Sequence, residues 1–115
     1  MPSAVLSCRW ASGPAGMISA AMEIAEFQEL MRLRYFATDS ARGAAATFLW
    51  LAEEFGELAQ AIARRERGDG DQANLEEEFA DMLAWLATLA NITGVDLAAA
   101  VEGKYVRGGG PKGTK

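Results

Sequence analysis

The sequence has no histidine and a single cysteine, Cys8. An intramolecular disulfide is therefore impossible. A zinc site built from His and Cys is excluded, as are triads and general bases that depend on imidazole. Basic charge is also in short supply, with a formal net charge of -5. A general binder of nucleic-acid backbone carries the opposite sign, so stable nucleic-acid binding is not expected. A small phosphorylated ligand stays open, because a bound cation reverses the local charge. β-Branched residues are scarce beside abundant alanine, which disfavours sheet. Long hydrophobic runs are missing too. The longest candidate, Met82 to Val95, covers about 14 residues and holds Thr88, Asn91 and Thr93, which is too short and too polar to span a bilayer. The opening MPSAVLSCRWASGPAG breaks up before it reaches signal length. The expectation is a soluble cytoplasmic protein with no membrane partner.

What is present is a chain of 115 residues, 50% of them apolar, enough for one domain with a real core. Residues 1–17, with Pro2, Gly13, Pro14 and Gly16, read as an irregular lead-in whose Trp10 docks on the body or a partner. Residues 18–107 read as one all-α domain of four helices, and 108–115 as a flexible Gly-rich tail. Ser19 can cap a first helix running to Tyr35 or Phe36, with Ile24, Phe27, Leu30, Met31 and Tyr35 at helical spacing. TDSARG reads as a break. The second helix, Ala44 to Arg67, is about 35 Å long and packs through Leu51, Phe55, Leu58 and Ile62. GDGDQ is a turn. Asn74, with Glu77 three residues on, fits a capping box opening the third helix. Asp96 starts a short fourth helix to Tyr105 or Val106. The short connection makes helices two and three antiparallel neighbours in a bundle-like unit. Several helices are apolar over more than one face, which predicts a homo-oligomer, dimer or tetramer.

Carboxylates interrupt the core-like pattern. Ten of the sixteen acidic residues lie between Glu53 and Asp81. Glu54 and Glu57 share a face of helix two, and Glu78 and Asp81 repeat that spacing on helix three. Acidic residues on helices are usually a solvated face, and Glu76 and Glu77 fit that description. Glu54 instead lies in a stripe with Leu51, Leu58 and Ala61. The two arms leading to the turn differ in length by a helical turn or two, so spacing alone leaves open whether the pairs meet. If they do, four carboxylates within about 6 Å of one another require a counter-charge. With only oxygen ligands, Mg2+ is the natural ion, with Mn2+ as a substitute.

The ordered pair, EExxE at Glu53, Glu54 and Glu57 followed by ExxD at Glu78 and Asp81, resembles the signature of the MazG-like nucleotide pyrophosphohydrolases. The flanks LAEEFGELAQAI, EEEFADMLAWLATLAN and GVDLAAAVEGKY are similar as well, and the resemblance covers roughly residues 20 to 107. It implies an all-α, metal-dependent, oligomeric domain in a superfamily shared with dimeric dUTP and dCTP pyrophosphatases. On it, Glu54, Glu57, Glu78 and Asp81 match the metal-binding carboxylates, and Glu53 matches the first glutamate of the motif. Lys104 and Arg107 fall where the family places phosphate-contacting basic residues. The implied reaction is hydrolysis of an NTP or dNTP between the α and β phosphates, with Glu53 or Glu57 orienting water or taking its proton. Trp50 and Trp85, with Phe48 and Trp10, are candidates for stacking on a base. Two departures stand out. Ala61 occupies a position where many relatives carry a further acid, which bears on the number of metals held. The tail after Tyr105 has no cysteine. The alternatives are a related all-α activity, phosphoribosyl-ATP pyrophosphohydrolysis, and a non-catalytic helical dimer that binds a nucleotide or a protein.

Overall fold

The computed structural model describes residues 21–112. The lead-in with Trp10 and the expected cap at Ser19 lie outside the described residues. Four helices make up the described part: α1 (Ile24–Arg42), α2 (Ala44–Arg67), α3 (Gln72–Thr93) and α4 (Leu97–Val101), which continues into a π-helical turn, Glu102–Arg107. The all-α expectation holds.

Within these residues α1 opens at Glu23, where a reciprocal capping box with Glu26 satisfies the first backbone donors. It does not end at Tyr35 or Phe36 but runs on through TDSA to Arg42. Asp39, expected to cap the next helix, points inward instead. It is buried and pairs with Arg42 at 3.1 Å, one turn along the same helix. No proline interrupts the stretch, so Thr38 and Ser40 are carried on the solvent side at modest propensity cost. The break shrinks to Gly43 alone, whose φ of 86° is open to glycine without strain. Arg42 bridges that break by donating to Thr47 Oγ1 at 3.2 Å.

α2 and α3 form an antiparallel hairpin with the most extensive contact in the fold, and α1 lies chiefly against α3. The seam of α2 runs through Thr47, Leu51, Glu54, Leu58 and Ala61, alternating four and three residues as a packed helix requires. Ala87 and Ala90, almost without exposure, are the small residues on α3 that let its neighbours come close. Burial of Leu51 removes a full leucine side chain from water, about 1.5–3 kcal/mol.

The third helix begins two residues earlier than Asn74. Asp71 is its N-cap, accepting from the Ala73 N–H at 3.0 Å, so the Asn74 side chain is free for other work. α3 ends at Gly94 in the left-handed conformation, and the chain turns through 99° into α4. Gln28 of α1 fastens this corner. Its amide donates to Asn91 Oδ1 and Val95 O and accepts from the Leu97 N–H at 2.9 Å. Asp96 caps α4 through the Ala99 N–H. Beyond Arg107, the Gly110 N–H closes on Lys104 O at 2.7 Å, so the tail turns back on itself as far as it is described. Among the described residues no single helix is long and apolar enough to cross a membrane.

Candidate metal centre

The link between α2 and α3 decides which side chains meet. Gly68 ends α2 in the left-handed conformation, and the Asp69 N–H donates back to Arg64 O at 3.1 Å. Gly70 then lies against the Arg65 backbone. The chain thus folds back along the last turn of α2 before α3 starts, which absorbs the unequal arms. Arg64 comes level with Asn74, Trp50 with Trp85, and Glu54 with Asp81 between them.

One oxygen each from Glu54, Glu78 and Asp81 lies within 4.8 Å of the others. Glu78 is buried, Glu54 half-buried and Asp81 exposed, so the group opens to solvent on one side. Glu54 Oε1 and Glu78 Oε1 are buried and have no hydrogen-bond partner. Burial raises the Glu54 pKa above its ordinary value of 4.5, and the negative charges of Glu57, Asp81, Glu78 and Glu53 raise it further. Unpartnered carboxylate oxygens facing other carboxylates are unfavourable without a cation. The donor set, all oxygen and all anionic, suits a hard divalent ion.

The family model for the MazG nucleotide pyrophosphohydrolase domain matches residues 42–105, more than half of the chain. The chain belongs to this family. A comparison with curated proteins gives no match. The MazG match spans α2, α3 and α4, and so takes in both acidic pairs. Membership carries pyrophosphohydrolase chemistry in general.

The other candidate residues are placed as follows. Glu57 is exposed and stands outside the group of three oxygens, yet it is close enough to push up the Glu54 pKa. Glu53 is exposed and acts on Glu54 more weakly. Trp50 and Trp85 stack with ring centroids 6.3 Å apart and planes 17° from parallel. Each lies four residues, one helical turn, from a cluster carboxylate: Trp50 from Glu54, and Trp85 from Asp81. The Arg42 guanidinium lies over Trp85, 5.0 Å from the ring centre. Phe48 is exposed. Lys104 and Arg107 are not brought to the cluster by contacts within the chain. Lys104 lies over the Tyr105 ring at 5.6 Å, and Arg107 pairs with Glu102 at 3.3 Å. Their segment packs mainly on α4, which packs on α1. Ala61 is 3% exposed and faces the seam, so the position where relatives carry a further acid offers only a methyl group.

Two residues near the cluster were not among the candidates. Asn74 donates from Nδ2 to Glu78 Oε2 at 3.3 Å and accepts from Arg64 at 2.7 Å. The signal was present in the spacing: Asn74 is four residues before Glu78, and Arg64 is seven after Glu57.

Proposed function

We propose that the chain hydrolyses nucleoside triphosphates, ribo or deoxy, between the α and β phosphates to give monophosphate and pyrophosphate. The observation that carries this reading is the convergence of Glu54, Glu78 and Asp81, with buried, unpartnered oxygens on the first two. These three side chains, with Glu57 at the rim, would hold Mg2+, or Mn2+ in its place. When bound, such an ion neutralises phosphate charge and acidifies water. Water adds to phosphorus at the α–β bridge, the bridging P–O bond breaks, and pyrophosphate departs. The proton released by water goes to Glu53 or Glu57, both exposed beside the cluster. The Trp50–Trp85 platform, one helical turn away, offers a face for the base. Lys104 and Arg107 are the proposed contacts to the departing pyrophosphate, for which the exposed Glu102–Arg107 pair must open. The active unit is a homo-oligomer.

The test is pyrophosphate release from a panel of NTPs and dNTPs with Mg2+ or Mn2+. Wild type releases pyrophosphate and monophosphate only with metal, and Glu54→Gln and Asp81→Asn lose the activity. Glu57→Gln retains metal binding but slows turnover by about 10²–10⁴, the range for removal of a general base. No release from any nucleotide by folded, metal-supplied protein would overturn the substrate class and favour phosphoribosyl-ATP or simple binding.

A further inference from the structure

A bidentate or freely rotating Glu78 would offer the cluster an undefined ligand. The structure gives Glu78 two unlike oxygens: Oε2 accepts from Asn74, and Oε1 is buried without a partner. The Asn74 amide is itself fixed. Arg64 can only donate, so the oxygen it meets at 2.7 Å must be Asn74 Oδ1, and the amide nitrogen is turned toward Glu78. Arg64, Asn74 and Glu78 thus form a directed chain from the end of α2 to the buried member of the cluster.

The order of residues in this chain matters chemically. Among the described residues Arg64 forms no ion pair with any carboxylate. A guanidinium placed directly on Glu78 would neutralise it and compete with a cation for both oxygens. With a neutral amide interposed, Glu78 gains a donor on one oxygen and keeps its full charge. Asn74 can serve this way because Asp71, one turn earlier, has taken over the capping of α3.

We propose that Asn74, oriented by Arg64, is a positioning residue that locks Glu78 so that Oε1 alone is presented to a divalent cation. The inference rests on the metal-centre reading above. Groups that orient a metal ligand from behind typically contribute 10–100-fold to metal affinity.

Mn2+ binding to the whole chain, counted by the loss of the free-ion electron paramagnetic resonance signal, provides the test, with helicity by circular dichroism alongside. Wild type binds, Glu78→Gln is severely weakened, and Asn74→Ala weakens about tenfold or more. Arg64→Ala, which frees the amide to flip, weakens binding in the same direction by less. In the Glu78→Gln background the Asn74→Ala change costs nothing further, because it acts through Glu78. A residue that only closed the α2–α3 turn would lower stability without this dependence on Glu78. Wild-type affinity in a folded Asn74→Ala protein would overturn the positioning role and leave the metal centre standing. Equal losses from Asn74→Ala with and without Glu78 would also overturn it. No Mn2+ binding by wild type, or unchanged binding in Glu78→Gln, would overturn the metal centre and the positioning role with it.

Discussion

Glu54 Oε1 is buried with no hydrogen bond, beside four other carboxylates that raise its pKa. Its folded-state pKa therefore lies above the unfolded one. With that sign, ionised Glu54 opposes folding at neutral pH, and the penalty fades as pH falls through the raised value and is gone below about 4.5. Removing the charge should then help the metal-free protein. Glu54→Gln is expected to melt above wild type at pH 7 without metal, with the difference closing at acid pH. Mn2+ reverses the ranking. At about a hundredfold excess over Kd it adds about 2.7 kcal/mol to wild type and little to the variant. For a domain of this size that is a rise of about 4–8 °C for each kcal/mol. Thermal unfolding at both pH values, with and without Mn2+, checks the signs. A metal-free variant less stable than wild type at pH 7 would mean that Glu54 is satisfied in a way the unpartnered oxygen does not suggest.

At the scale of elements, helices were legible where the apolar period was strong, and their ends were legible where glycine decided them. α2 runs Ala44–Arg67 as its pattern predicts, because Gly43 and Gly68 both adopt positive φ and leave no alternative stop. The end of α1 was misread because Asp39 and Ser40 carry the chemistry of a cap. Tertiary packing of Asp39 against Arg42 outweighed that local preference. The start of α3 was misread for a similar reason, since both Asp71 and Asn74 can cap and only three-dimensional context shows that Asn74 is engaged elsewhere. The carboxylates were visible as residues, but their meeting was not, because it depends on how the link folds back at Gly70. A Cβ there would lie 2.7 Å from Arg65 N and 2.8 Å from Arg65 Cα, backbone atoms that cannot yield. Gly70→Ala is expected to push the link outward at a cost of about 1–3 kcal/mol. It should also slip Asn74 from Arg64 and loosen Mn2+ binding. Urea unfolding together with the Mn2+ titration tests this, and an unchanged midpoint would show that the link has room to spare.

For the whole molecule, the balance of apolar burial argues that one chain is not the complete unit. The large apolar side chains with least exposure are few: Met31 at 7% and Leu51 at 4%, the remaining buried apolar positions being alanines. Against them stand Leu33 at 68%, Leu49 at 69%, Phe55 at 53% and Phe79 at 56% exposed. Phe48, Phe55 and Ile62 recur every seven residues along α2, which makes a continuous exposed stripe rather than scattered positions. Phe79, Leu83 and Leu86 make a second on α3. Patches of that kind on a small domain are normally covered, and a second copy presents the same apolar stripes for self-complementary packing. Sedimentation at micromolar concentration should give a mass at least twice the 12.3 kDa of the chain. Phe48→Glu with Phe55→Glu places two charges where the stripe must be dry, and should shift the mass toward the single chain. The unfolding midpoint of wild type should rise with protein concentration, since association stabilises only the folded form. That of the double variant should not. A wild type that sediments as one chain, with a midpoint independent of concentration, would mean these stripes are tolerated in water and that the metal centre must work within a single copy.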